Sequence, residues 1–169
     1  MDKVVGLGSA GVSIVGEFKK YPQYKGYCID VGLDGLKKNG FYELQEQDSP
    51  EEYEKNCPSV KNFLKAATPD LTMVLSNTGH VSGASLAILE QVKDRNIGVI
   101  LINSDERRLT EYTRLVGRST FGVMQEYARS GLFSEISLIS NKAMEEVIGD
   151  VPVFCDQVPL ALHIFTVLV

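Results

Sequence analysis

Apolar runs of strand length alternate with stretches of helical periodicity along most of this 169-residue chain. The runs "KVVGL", "KGYCIDV", "DLTMVLS", "NIGVILIN" and "SEISLIS" predict strands, and Val12, Val15 and Phe18 recur near helical spacing after the first of them. Strands that alternate with helices are typical of a mostly parallel sheet with helices on both faces. The pattern therefore predicts an α/β, Rossmann-like, doubly wound fold.

Capping residues support several of the predicted helices. Ser49 as N-cap, Pro50 at the first helical position and Glu52 at the third form a capping-box start. Helices are also expected over "SGASLAILEQVKDR", roughly from Glu106 to Ser130, and over "NKAMEEVIG". These helices fall between the predicted strands, as a doubly wound sheet requires.

The end of the chain, residues 158–169, reads "VPLALHIFTVLV" and is almost wholly apolar. It is too short for a membrane span, which needs about 20 residues. A helix that is apolar on every side belongs where other elements cover it. We therefore expect either that the chain is cut inside a central helix or that a partner covers this end.

Composition and charge narrow the functional classes. The formal net charge is -5 with acidic and basic residues interleaved, which does not provide the basic face that nucleic-acid binding needs. Cys28, Cys57 and Cys155 show no C-x-x-C spacing, and the two histidines show no metal-ligand pattern. With no visible targeting segment, we expect a cytoplasmic protein that holds no metal site of its own.

The first candidate site is the glycine-rich turn "GLGSAG" after the first strand. Gly6, Gly8 and Gly11 let the main chain turn tightly and approach phosphates, while the following helix directs its positive N-terminal dipole at them. Asp30 ends the second strand 19 residues beyond Gly11, where an acid can hold ribose hydroxyls. These residues fit an NAD-type Rossmann domain.

A second loop, "NTGHVSG", lies between another strand and helix. Its main-chain N–H groups and hydroxyls stand at a second helix N-terminus, so the two loops together could hold both ends of a triphosphate chain. A dinucleotide needs the first loop only. The P-loop motif G-x-x-x-x-G-K-[ST] is absent from the sequence, which excludes that class of nucleotide site.

The order and spacing of these elements resemble the FtsZ/tubulin family of filament-forming GTPases. "GLGSAG" looks like that family's first nucleotide loop, and "NTGHVSG" stands where the family has its glycine-rich signature loop. "ISLISNKAMEEVIGDVPV" is similar to the family's segment with the strand-end asparagine and the helix after it. The resemblance implies a GTP-binding domain over residues 1–152 and the start of a central helix over residues 153–169.

The resemblance implies that the predicted site binds GTP or GDP, together with Mg²⁺. The first loop would line the diphosphate, the second loop would hold the terminal phosphates, Asn141 would face the base or ribose, and Phe154 and Asp156 would contact guanine. The full set of predicted nucleotide-binding residues is Gly6, Leu7, Gly8, Ser9, Gly11, Asp30, Asn77, Thr78, Gly79, His80, Ser82, Gly83, Asn141, Phe154 and Asp156.

The resemblance implies head-to-tail self-assembly into filaments, with GTP hydrolysed only between subunits. In that family the acidic residues that position water come from a loop beyond this chain and act on the neighbouring subunit, so no catalytic residue is assigned here. Two other interpretations stay open. One is a tubulin-like scaffold that does not hydrolyse nucleotide; the other is an NAD-binding Rossmann oxidoreductase module, which explains "GLGSAG" and Asp30 but gives "NTGHVSG" no role.

Overall fold

The computed structural model describes residues 2–33, 40–67 and 70–148. The strands within these ranges are β1 (Asp2–Leu7), β2 (Tyr24–Asp30), β3 (Phe41–Glu43), β4 (Asp70–Ser76), β5 (Asn96–Asn103) and β6 (Glu135–Ser140). The helices are α1 (Gly8–Phe18), α2 (Pro50–Lys55), α3 (Lys61–Leu64), α4 (Ser82–Gln91), α5 (Glu111–Arg129) and α6 (Asn141–Ile148). Short 3₁₀ turns occupy Lys65–Ala67 and Glu106–Arg108.

The strands form one parallel sheet in the order β3-β2-β1-β4-β5-β6. β2 and β3 follow β1 on one side of it in the sheet, and β4, β5 and β6 follow on the other side. In open parallel sheets ligands bind outside the carboxyl ends of the strands, at the point where the order reverses. Here that switch point lies between β1 and β4, and the predicted doubly wound α/β fold is confirmed.

Apolar side chains fill both faces of the sheet. On one face α1 packs Ile14, Val15 and Phe18 against Val4 and Cys28 in a buried cluster. The other face carries the larger cluster, to which α2, α3, α4 and α5 contribute buried side chains such as Tyr53, Leu64, Ile88 and Met124. Helices therefore lie on both faces, as the strand–helix alternation predicts.

Two helix starts differ from their predictions. Ser49 accepts a hydrogen bond from the Glu52 N–H (3.3 Å), as expected, but the Glu52 carboxylate accepts from the Asp48 N–H (3.2 Å) rather than from Ser49. The helix expected from Glu106 begins at Glu111, because Thr110 caps it and the preceding 3₁₀ turn ends in extended backbone. The Thr110 hydroxyl accepts from the Thr113 N–H at 3.2 Å.

Close packing of α4 on α2 depends on Gly83. A Cβ atom placed on Gly83 would lie 1.7 Å from the carbonyl oxygen of Pro50, the first residue of α2. Because backbone atoms cannot move aside as a flexible side chain can, no other residue fits this contact without separating the two helices. Gly83 thus serves helix packing.

We expect Gly83→Ala to destabilise the fold by about 1–3 kcal/mol or more, the usual cost of overpacking a filled core. Gly16→Ala is the matched control, because Gly16 lies in α1 with open space around its Cβ position. That substitution should stabilise by roughly 0.5–1 kcal/mol through helix propensity. Urea denaturation followed by circular dichroism measures both; equal stabilities of the two variants would contradict the packing role of Gly83.

Candidate functional site

A cavity of about 220 Å³ lies at the switch point, between the loops that follow β1 and β4. Its lining residues come from both loops and from the helices that these loops begin: Leu7, Gly8, Ser9, Ala10, Leu75, Ser76, Thr78, Gly79, Val81, Ser82 and Ser85. Six of them belong to the residues predicted from sequence, namely Leu7, Gly8, Ser9, Thr78, Gly79 and Ser82. The structure therefore brings the two loops to one place.

The first wall of the cavity is the N-terminus of α1. Gly8 begins this helix at φ +71°, a conformation that favours glycine, and the Cβ of any other residue would lie 2.9 Å from Val81 Cγ2. Within the described residues no side chain caps α1 and no acid stands in its first turn. Its first N–H groups therefore present partial positive charge to the cavity.

Gly6 and Gly11 stand behind this wall and do not line the cavity. A Cβ on Gly6 would lie 2.3 Å from the Gly11 carbonyl oxygen, and a Cβ on Gly11 would lie 2.4 Å from the Val74 carbonyl oxygen on β4. Both glycines let α1 approach the sheet closely. Their role in the site is to set the direction of the helix N-terminus.

The second wall is the N-terminus of α4. Val81 precedes this helix, no side chain of the described residues caps it, and its first turn holds no acid. Ser82 is 3% exposed, and its Oγ has no hydrogen-bond partner among the described residues. A buried hydroxyl without a partner costs free energy, so Ser82 offers an unused donor beside a second positive helix end.

Asp30 ends β2, one residue beyond the Leu7–Ile29 pair in the register of β1 and β2. It therefore lies one strand away from the glycine turn, at the same carboxyl edge of the sheet. Its Oδ1 accepts from the Val31 N–H at 2.9 Å. Burial raises the pKa of this carboxyl above its ordinary value, and the hydrogen bond from Val31 opposes the rise.

Asn77 and Thr78 connect the second loop to the end of β5. The Asn77 amide is 5% exposed; its Nδ2 donates to Asn103 Oδ1 (2.7 Å) and its Oδ1 accepts from the Ser104 N–H (3.2 Å). The Thr78 and Ser104 hydroxyls share a further bond of 2.5 Å. The Asn77 side chain is thus committed to holding two loops together, and Asn77 does not line the cavity.

The other predicted residues lie around or away from the cavity. His80 is exposed and meets the edge of the Tyr53 ring at 5.9 Å between centroids, and Gly83 packs on α2 as described above. Asn141 begins α6 after β6, three strands from β1, and its Oδ1 has no partner within the described residues. Phe154 and Asp156, with the expected central-helix start, lie outside the described part of the chain.

Sequence reasoning missed Ala10, Leu75, Ser76, Val81 and Ser85 among the lining residues. Leu75 and Ser76 end β4, and a strand end at a switch point is a signal that could have identified them. Val81 carries no such signal, because its position over Gly8 depends on how the two loops pack. No cluster of three metal-ligating side chains, and no helix long and apolar enough to cross a membrane, occurs among the residues described.

No protein-family model matches the chain, and no curated protein matches it in sequence. Among solved structures the chain is similar to a short chain dehydrogenase/reductase from Saccharomyces cerevisiae, with a TM-score of 0.49 and 12% sequence identity over 96% of this chain and 82% of that chain.

These findings overturn the expected membership of the FtsZ/tubulin family. No protein-family model matches the chain, those of the FtsZ/tubulin family included. The assignments of GTP or GDP with Mg²⁺, of GTPase activity and of filament formation came from the resemblance, and they are wrong with it. Two residues of the second loop show why it misled: Gly83 serves helix packing and Asn77 serves loop packing. Self-association stays a prediction.

We expect Asn77→Ala to destabilise the fold by about 1–3 kcal/mol, because it leaves the partly buried Ser104 N–H and the side-chain Oδ1 of Asn103 without their partner. Asn56→Ala is the control, since Asn56 makes one exposed side-chain hydrogen bond, to Gln47. Chemical denaturation compares the two variants. An Asn77→Ala chain as stable as the control would show that the link between the loops contributes nothing.

Proposed function

We propose that this chain binds an NAD-type dinucleotide at the switch point, with the diphosphate between the N-termini of α1 and α4. The observation that carries the proposal is the cavity itself, which two helix N-termini without side-chain caps or first-turn acids enclose. Anions are stabilised at such helix ends by the free N–H groups and by the helix dipole. Two converging ends suit a group with two negative charges.

The size and chemistry of the cavity fit the diphosphate part of the ligand. At about 220 Å³ it is smaller than the roughly 300–1,000 Å³ typical of pockets that enclose a whole small molecule. A diphosphate fills such a space, while the two nucleosides extend along the carboxyl edge of the sheet. Ser82 Oγ supplies the donor that phosphate oxygens accept, and this contact satisfies a hydroxyl that otherwise has no partner.

Asp30 supports the choice of NAD over its 2′-phosphorylated form. A carboxylate at the end of the second strand accepts hydrogen bonds from ribose hydroxyls and repels a 2′-phosphate. The register places Asp30 beside the glycine turn, which is the position this role requires. Because burial raises its pKa, the ionised carboxylate is short of favourable partners, and ribose hydroxyls would supply them.

The bound dinucleotide would supply hydride-transfer chemistry, and the residues above would bind and orient it. The proposal rests on the two helix ends, Ser82 and Asp30.

Isothermal titration of the full chain with NAD⁺, NADP⁺, ADP-ribose and AMP tests the proposal. We expect NAD⁺ and ADP-ribose to bind, with NADP⁺ weaker. Ser82→Ala should weaken NAD⁺ about tenfold or more, the cost of one hydrogen bond to a charged group. Ser13→Ala on the exposed side of α1 is the control and should bind as the parent does. No binding of NAD⁺ or ADP-ribose by a folded chain would overturn the proposal.

Asp30→Asn should change NAD⁺ binding and the stability of the fold in opposite directions. It should weaken NAD⁺ about tenfold, since asparagine accepts ribose hydrogen bonds without charge, and should leave NADP⁺ less affected. Because the folded-state pKa of Asp30 is raised, its ionised form destabilises the fold at neutral pH. The ligand-free variant should therefore melt above the parent at pH 7, and the difference should shrink as the pH falls towards the range where Asp30 is protonated. A lower melting temperature at pH 7 would contradict this account.

A further inference from the structure

The two faces of the sheet are unequally covered within the described residues. On β5, Val99 and Leu101 point to the face that α2–α5 cover and are 1% and 0% exposed. Ile100 points to the opposite face, which α1 covers, and is only partly buried. Since β5 is an interior strand of the sheet, this exposure is not an effect of the sheet's edge.

The neighbouring strand β6 is the edge strand of the sheet, and it continues this face. Ile139 of β6 pairs with Ile102 of β5 and lies on the α1 face, where it too is partly buried. Ser137, which pairs with Ile100, is exposed on this face. We define Ile100, Ser137 and Ile139 as the open face. Parallel sheets are normally covered on both sides, so the open face lacks the layer that such a sheet requires.

The chain itself supplies a segment of matching chemistry. Residues 158–169 lie outside the described part of the chain and contain no Asp, Glu, Lys or Arg. The three residues of the open face carry no charge, while Glu135, which pairs with Gly98, lies on the same side of β6 two residues before Ser137. Burial of apolar surface on both sides would contribute roughly 25 cal/mol per Å².

The position of α6 brings this segment within reach. The helix begins directly after β6, and Glu145 pairs with Arg108 at 2.9 Å while Met144 is buried. The nine residues 149–157 separate α6 from the apolar run. Extended, they span up to about 30 Å, which exceeds the roughly 20 Å length of a six-residue strand such as β6.

We propose that residues 158–169 pack on the open face of their own chain and cover Ile100 and Ile139. A short linker gives the segment a millimolar effective concentration at this face, which favours it over the same segment of a second copy. The proposal is independent of dinucleotide binding.

Photo-crosslinking of the full chain tests the proposal. The photoreactive residue p-benzoylphenylalanine replaces Ile139 in one variant and the exposed Ser137 in a second, which guards against loss of folding when Ile139 is enlarged. The control carries the probe at Leu115, which is 63% exposed on α5, a helix of the other face. Mixing isotopically labelled and unlabelled chains separates crosslinks within one molecule from those between copies, and mass spectrometry locates them.

We expect most crosslinks from positions 137 and 139 to fall on residues 158–169 of the same molecule, and few from position 115. The double substitution Leu162→Asp with Phe165→Asp should reduce the yield severalfold, because charged side chains resist burial there. Crosslinks mainly between copies would overturn the proposal and show that a second chain covers the face. Crosslinks that miss the segment altogether would overturn it as well.

Discussion

The close approach of α1 to the sheet is the constraint on which the candidate site depends. Gly6 faces the Gly11 carbonyl, and Gly11 faces the Val74 carbonyl of β4, at distances that leave no room for a side chain. This contact fixes α1 against both β1 and β4, so that its N-terminus points into the gap at the switch point. Gly8, at φ +71°, completes the turn. The glycines thus set the direction of α1. Because its N-terminus then points into the gap, the helix can bind an anion there.

The second helix reaches the same gap by a different set of contacts. Gly83 seats α4 on the first residue of α2, and the Asn77 side chain ties the loop before α4 to Asn103 and Ser104 after β5. Val81 then packs its side chain towards Gly8. Each of these contacts joins α4, or the loop before it, to a different element. The position of the α4 N-terminus therefore depends on how several elements pack together. These contacts hold the base of the cavity from several sides, which suits a group that must be held in one orientation.

The alternation of strands and helices was enough to predict the fold, because burial on both sides of a parallel sheet leaves continuous apolar runs such as "NIGVILIN". The sequence also marked the loops that line the cavity, because glycine and small polar residues cluster where strands turn into helices. It could not tell why each glycine was needed. Gly8 allows a turn with positive φ, Gly11 allows α1 to approach strand β4, and Gly83 allows α4 to approach α2. The sequence does not distinguish these three roles. The FtsZ/tubulin resemblance counted Gly83 as a ligand residue for that reason.

At the switch point several departures from helix capping and from hydrogen bonding of buried polar groups occur together. Away from it, Ser49 caps α2, Thr110 caps α5 and Asp105 caps the 3₁₀ turn after β5, whereas α3 has no side-chain cap. The Asp105 carboxylate is satisfied so well by hydrogen bonds and charge from Arg107 that its pKa falls to about 2. At the switch point, by contrast, neither helix has a cap, the Ser82 hydroxyl has no partner among the described residues, and burial raises the pKa of Asp30.

Each of these features costs stability in the chain without ligand, and all of them lie along one edge of the sheet. An anion at the two helix ends and hydroxyls at Asp30 would relieve them together. Sites where a fold departs from local consistency are where function is expected, because an unliganded site must keep unsatisfied the groups that its ligand will satisfy. The charge pattern here is positive at two helix ends and negative one strand away. That pattern matches a diphosphate joined to a ribose more closely than it matches any single anion.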